Sequence, residues 1–266
     1  GGVLITIRDL QEKKKKSQKI VALTAYDFLT AQALDHSGVD LILVGDSLGM
    51  VVYGYPSTCY VTLEDMIRHT HAVSRGVKNA LLISDMPFGS YHGNPSESLQ
   101  NAIDLIQAGA QGVKVEGASP SVLESIRRML EAGILVIGHL GFTPQQVNRL
   151  GGNLIQGKEK EEAAKMIEDA LLLESIGVSA LVLELVPQTL AKKITEKLKI
   201  PTIGIGAGQH TDGQILVTHD MLGLYTAFKP RFVKRYAALD TVIRRSIKRF
   251  KKDVETVQFP SEDQSY

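Results

Sequence analysis

Acidic, basic and imidazole side chains stand where short apolar runs end. Asp46 and Ser47 follow Leu43-Val44-Gly45, and Asp85 follows Leu81-Leu82-Ile83-Ser84. Lys114 and Glu116 bracket Val115, His139 follows Leu135–Gly138, and Glu184 follows Leu181-Val182-Leu183. Any one such carboxylate can serve as a helix cap or a surface loop residue. Together, Asp46, Asp85 and Glu116 would repel one another in a shared, partly desolvated site, which calls for a cation or for raised pKa values. Oxygen donors without a His/Cys cluster at metal spacing suit a hard ion such as Mg2+ rather than zinc. Lys114 would suit the carboxylate of an anionic substrate. Glu184, set among Leu183, Leu185 and Val186, would have a raised pKa and could act as a general base; the bland alternative is a capping glutamate before Pro187. His139 is an acid/base, a ligand, a donor to substrate oxygen, or simply structural.

Positioning these groups requires a repeating frame. Strands are expected at Ile20–Thr24, Leu41–Val44, Ala80–Ser84, Gly112–Val115, Leu135–Gly138, Ala180–Leu183, Thr202–Ile205 and Gln214–Thr218. Several are apolar at nearly every position, as in parallel strands covered on both faces. Helices are expected at Phe28–His36, Leu63–Arg75, Ser96–Ala108, Ser121–Ala132, Glu159–Ile176 and Gln188–Leu198. Thr62 and Ser119-Pro120 open helices, while Gly38, Gly76, Gly109, Gly133 and Gly177 close them. No Pro/Gly/Ser-rich linker divides the chain. Eight βα units without a linker point to a single (β/α)8 TIM barrel, with a doubly wound open sheet as the alternative. In such a barrel the chemistry sits on the loops after the strands, and Glu184, two strands beyond Glu116, would face the carboxylates from across the mouth rather than act as a fourth metal ligand.

Length and composition bound the rest. At about 150 residues per domain, 266 residues allow two small domains, but an α/β barrel uses about 250 as one. With 44% hydrophobic and 22% charged residues, neither wholesale disorder nor a membrane protein fits. Thirty basic against 29 acidic residues leave no global field for nucleic acid or an anionic membrane. The single cysteine, Cys59, cannot form an internal disulfide and fits a reducing, cytoplasmic setting; it has no His at a recognisable catalytic spacing. Gly1-Gly2-Val3 carries no secretory signal. Lys13–Lys16 reads as a solvated face or loop. The Gly204–Gly208 segment follows a strand but lacks the spacing of a phosphate loop, leaving close backbone approach to a flat ligand and anion binding as equal readings. Tyr236–Lys252 reads as an amphipathic closing helix with Leu239, Ile243, Ile247 and Phe250 on one face, giving a barrel domain over 1–253 and a polar, loose tail over 254–266.

Several longer motifs carry a family resemblance. Leu43-Val44-Gly45-Asp46-Ser47-Leu48-Gly49-Met50, Asp85-Met86-Pro87-Phe88-Gly89-Ser90-Tyr91, Val113-Lys114-Val115-Glu116-Gly117 and Gly138-His139-Leu140-Gly141 resemble the ketopantoate (3-methyl-2-oxobutanoate) hydroxymethyltransferases. Leu183-Glu184, Val186-Pro187, Pro201–Gly208 and Asp212-Gly213-Gln214 continue the likeness, which spans roughly Ile7 to Tyr236. The resemblance implies a barrel of the phosphoenolpyruvate/pyruvate type that transfers a hydroxymethyl group from 5,10-methylenetetrahydrofolate to 3-methyl-2-oxobutanoate, a step towards pantothenate. It makes Asp46, Asp85 and Glu116 the Mg2+ site, one ion per subunit, with Glu116 acting directly or through water. Ser47 and Lys114 would contact the keto acid, His139 would fall in the pocket, and Glu184 would accept the proton. It further implies a homodecamer. One departure is Cys59-Tyr60, where the family usually has an apolar residue and proline; it touches the loop after the second strand. Two other functions stand beside this one: a Mg2+-dependent lyase or mutase of the related barrels acting on an enolisable 2-oxo acid, and a non-enzymatic scaffold, which would be expected to carry a broken site.

Overall fold

A computed structural model describes residues 4–266; Gly1–Val3, the start expected to hold no secretory signal, lie outside the described residues. Eight parallel strands follow one another round a closed barrel, β1 pairing with β8. They are β1 (Ile20–Thr24), β2 (Leu41–Val44), β3 (Leu81–Asp85), β4 (Gly112–Lys114), β5 (Leu135–Gly141), β6 (Ala180–Glu184), β7 (Thr202–Ile205) and β8 (Gly213–Leu216). The open-sheet alternative is therefore excluded. The strand β5 runs three residues beyond its expected end, because pairing continues to Gly141 opposite Glu184, so His139 lies within a strand rather than after one.

Alternation along the strands produces two cores. Ile20, Leu41, Ile83, Ile137, Val182, Ile203 and Ile215 fill the barrel interior. Their neighbours Ile42, Leu82, Val113, Val136 and Leu181 point outward and pack under the helices. Both faces are thus dry, which explains the nearly unbroken apolar runs; each fully buried Ile or Leu contributes about 1.5–3 kcal/mol.

One helix, α1 (Ile7–Lys15), precedes the barrel. The connections carry α2 (Phe28–His36), the single turn α3 (Leu48–Val51), α4 (Leu63–Gly76), α5 (Pro95–Gln107), α6 (Pro120–Glu131), the single turn α7 (Val147–Leu150), α8 (Lys160–Ile176) and α9 (Gln188–Lys197). Thr62 caps α4 reciprocally with Asp65, and Ser119 caps α6 ahead of Pro120. Gly38, Gly109, Gly133 and Gly177 have positive φ, as helix-closing glycines do. Gly76 differs: it is the last residue of α4, and a Cβ there would meet the Phe28 carbonyl oxygen at 2.6 Å, so it lets α2 and α4 approach. Residues 206–212, between β7 and β8, hold no helix, so the eight strands are not eight complete βα units.

The basic run proves to be an anchor, not a solvated face. Leu10 is fully buried among the interior residues of the barrel. Lys13 Nζ pairs with Asp40 Oδ1 at 2.8 Å and Lys14 Nζ with Asp212 Oδ2 at 3.0 Å. Lys14 also donates to the carbonyls of Thr195 and Ile200, each at 2.9 Å. Asp40 and Asp212 directly precede β2 and β8, so α1 sits at the end of the barrel opposite the strand-end residues. Of the run, Lys15 and Lys16 are exposed, and Lys15 pairs with Glu12 at 2.8 Å.

A second compact unit, Val217–Tyr266, carries the turn α10 (Thr218–Met221) and α11 (Leu239–Glu255). The helix α11 begins and ends three residues later than expected. None of its residues is buried, and Ile247 and Phe250 are more than half exposed. In the segment beyond it, Phe259 sets its ring edge-on to Phe250, and Glu262–Gln264 forms a short 3-10 turn.

Candidate active site

Strand ends bring the seven sequence-selected residues to one mouth of the barrel. Asp85, Lys114 and Glu184 are the last residues of β3, β4 and β6; Asp46 and Ser47 follow β2, Glu116 follows β4, and His139 projects from β5. Asp46, Asp85, Lys114, Glu116 and His139 are buried, while Ser47 and Glu184 remain partly open. Ser47 Oγ lies 2.6 Å from the Tyr26 hydroxyl.

Each of the three carboxylates has one oxygen anchored by an amide N–H. The Asp46 backbone N–H donates to Asp85 Oδ2 at 2.9 Å. The Gln145 backbone N–H donates to Glu116 Oε2 at 3.1 Å, and the Gln145 side-chain amide donates to Asp46 Oδ2 at 2.8 Å. Of the other oxygens, Asp85 Oδ1 meets Lys114 Nζ at 3.0 Å as an ion pair, without a well-directed hydrogen bond, and Glu116 Oε1 lies 3.8 Å from His139 Nδ1.

The basic side of the site forms a file of donors. Lys114 Nζ donates to His139 Nδ1 at 2.9 Å, so the imidazole carries its proton on Nε2. That Nε2–H faces the Phe142 carbonyl at 3.0 Å and Glu184 Oε2 at 3.1 Å. Burial, reinforced by the Lys114 charge, holds His139 well below the usual histidine range, so it is neutral here. It stands between Lys114, which donates to its Nδ1, and Glu184, whose Oε2 lies 3.1 Å from its Nε2.

Electrostatics follow from crowding without water. Burial pushes Asp46 well above the usual carboxylate range, with Asp85 and Glu116 adding to the rise. Burial also raises Glu116 to about 8, against the opposing pull of Lys114. Glu184 reaches about 8 for the same first reason, as its apolar flanks led one to expect. Burial alone would lower Lys114, but Asp85, Glu116 and Asp46 outweigh it, and the ammonium is held charged. The backbone at Glu184 is tightly held: its carbonyl accepts from Phe142 N–H at 2.8 Å, and Leu185 beyond it takes a left-handed φ of 49°. For a residue with a Cβ that conformation costs about 1–2 kcal/mol, a strain placed next to Glu184.

Two buried residues escaped the strand-end search. Gln145 sits in a 3-10 turn (Pro144–Gln146) beyond β5, and Tyr91 lies six residues beyond Asp85. Both stand within the loops that strand ends feed, so extending the search from the first to the sixth loop residue would have found them. The Gly204–Gly208 glycines answer to neighbours within the chain: a Cβ at Gly204 would meet Thr211 Oγ1 at 2.7 Å, and one at Gly208 would meet Gln188 Cβ at 2.4 Å.

The donor set was tested against a hard cation. Among the described residues, no three His, Cys, Asp or Glu side chains are disposed to enclose a metal by themselves. A Mg2+ ion, however, keeps several waters and needs only one or two carboxylates. Asp46 and Asp85 each have an oxygen that no amide anchors, Asp85 Oδ1 lacks a hydrogen bond, and burial, with Asp85 and Glu116 beside it, drives the Asp46 carboxyl up. The residues present fit such an ion.

Comparisons with solved structures place the fold. The chain is similar to a phosphonopyruvate hydrolase in complex with oxalate and Mg++ (TM-score 0.64, 14% identity, 97% of this chain and 92% of that one). It is also similar to a phosphoenolpyruvate phosphomutase from Streptomyces platensis subsp. rosaceus (TM-score 0.62, 11% identity, 94% and 88%). These likenesses show the fold, a closed (β/α)8 TIM barrel. Sequence comparison is more specific: a family model described as ketopantoate hydroxymethyltransferase matches residues 4–262. Relatives named 3-methyl-2-oxobutanoate hydroxymethyltransferase include one from Thermoanaerobacter sp. (strain X514), 54% identical over 97% of this chain and 94% of its own. Another, from Caldicellulosiruptor saccharolyticus, is 50% identical over 98% and 99%. The chain belongs to the ketopantoate hydroxymethyltransferase family of enzymes.

Proposed function

We propose that the chain converts 3-methyl-2-oxobutanoate to 2-dehydropantoate (ketopantoate), with 5,10-methylenetetrahydrofolate as one-carbon donor and Mg2+ as resident cation. The observation that carries this reading is the opposition, in one buried mouth, of half-anchored carboxylates to the Lys114–His139–Glu184 file. Asp46 and Asp85 would hold the ion, with Glu116 through water; when bound, it would supply Lewis acidity to the carbonyl of a 2-oxo acid. Lys114 places a fixed positive charge where the substrate carboxylate would lie, and Ser47 offers a hydroxyl beside it. Glu184, its oxygen oriented by His139 Nε2–H, takes the C3 proton. The resulting carbon nucleophile forms a bond to the folate methylene carbon, the two carbon–nitrogen bonds to that carbon break, water supplies the hydroxyl group, and the C3 proton and the remaining proton of that water end on the two nitrogens, leaving tetrahydrofolate.

We further propose a homo-oligomer, a decamer by resemblance, which the exposed apolar side of α11 supports: Val242, Ile247, Phe250 and Val254 would otherwise stay in water. Light scattering of the purified chain tests this; a monodisperse monomer at micromolar concentration contradicts it.

The activity is tested by incubating enzyme, Mg2+, 3-methyl-2-oxobutanoate and 5,10-methylenetetrahydrofolate and measuring 2-dehydropantoate by mass spectrometry. Carbon released from a 2-oxo acid without any folate would instead favour the lyase or mutase reading.

A further inference from the structure

We infer that Gln145, oriented by Tyr91, is a positioning residue that decides which oxygen of Asp46 faces the cation; this rests on the metal reading proposed above. Gln145 is 4% exposed, and every polar atom of its side chain is engaged. Its Nε2 donates to Asp46 Oδ2 at 2.8 Å and to the Met86 carbonyl at 2.9 Å. A carbonyl can only accept, so the amide cannot be flipped. Its Oε1 accepts from the Tyr91 hydroxyl, and that hydroxyl in turn accepts from the Glu116 backbone N–H at 3.1 Å. The Gln145 backbone closes the circuit by donating to Glu116 Oε2 at 3.1 Å. Its carbonyl accepts from the Cys59 thiol at 3.2 Å, tying in the loop after β2.

The circuit has a directional consequence. An amide N–H on Asp46 Oδ2 takes one lone pair of that oxygen and leaves Oδ1 the freer ligand atom. The same residue, through its main chain, occupies Glu116 Oε2. Two carboxylates from different strands are thereby set in register by one side chain and its own N–H, and chelation through both oxygens is disfavoured at each. Mg2+ demands nearly octahedral geometry with one-oxygen carboxylate ligands, so this arrangement selects for it over larger ions that accept two-oxygen chelation. Partners that orient metal ligands typically account for about 10- to 100-fold in affinity.

Gln145→Met keeps length and apolar bulk while deleting both donors; Tyr91→Phe deletes only the hydroxyl that orients the amide. Mg2+ alone is titrated into each protein by calorimetry, with Ca2+ titrated in parallel and thermal unfolding recorded. The expected result is Mg2+ binding weakened about 10- to 100-fold in Gln145→Met and by a smaller factor in Tyr91→Phe, with the Mg2+/Ca2+ preference narrowed in both. At saturating Mg2+, kcat should recover more than the metal affinity does. Wild-type Mg2+ affinity and ion preference in folded Gln145→Met overturns the inference; if that variant does not fold, Tyr91→Phe decides by the same criterion. If the wild-type chain itself binds no Mg2+, the metal reading fails, not the positioning of Asp46 alone.

Discussion

Glu184 takes its working character from what surrounds it. Burial raises its carboxyl to about 8, so at neutral pH a proton moves on and off it readily, as a general base requires. Glu184→Gln should keep Mg2+ and keto-acid binding within about twofold of wild type while slowing C3 proton exchange by about 10²- to 10⁴-fold. Lost binding with normal exchange would show that the proton goes elsewhere. The same shift has a stability consequence. A carboxyl raised from 4.5 to about 8 retains a proton in the folded chain that the unfolded chain has released, so its contribution falls as pH climbs through that window. Metal-free wild type should lose up to about 1.4 kcal/mol per pH unit relative to Glu184→Gln between pH 5.5 and 7.5. Urea unfolding at those two pH values checks this; parallel stability curves would contradict it.

At the scale of elements, the barrel depends on a plug at one end to present its site at the other. Leu10→Ala should destabilise the fold by about 2–5 kcal/mol, as a large-to-small change in a dry interior, while the folded fraction keeps its specific activity. Equal denaturant midpoints for the variant and wild type would remove α1 from the core. This element was hard to read in the sequence for a physical reason: of nine residues, Ile7–Lys15, one apolar side chain, Leu10, is fully buried, so periodicity carries almost no signal. Its ion pairs join Lys13 and Lys14 to Asp40 and Asp212, far along the chain. Most strands were legible because both of their faces are covered and nearly every position is apolar. Asp46, Asp85 and Glu116 were legible because a polar residue breaking such a run stands out. Gln145 was not, since its role exists only where segments around residues 46, 86, 91 and 116 meet.

For the whole molecule, fold and family are settled by the closed barrel and by relatives matched along nearly the entire chain. Charge nearly balances over 266 residues, yet the site gathers four carboxylates and one lysine in a largely buried mouth. That concentration, invisible in the sum, is what the proposed chemistry requires: an acidified carbonyl beside a carboxylate ready to take a proton. In the proposed mechanism, proton abstraction precedes any folate step and needs only this chain, the keto acid and the cation. The decisive measurement is therefore the exchange of the C3 proton of 3-methyl-2-oxobutanoate in D2O, followed by NMR with and without Mg2+ and in Asp85→Ala. Rapid exchange that requires Mg2+, needs no folate and disappears in folded Asp85→Ala is the predicted result; exchange indifferent to both Mg2+ and Asp85, or none in the complete wild-type system, would contradict it.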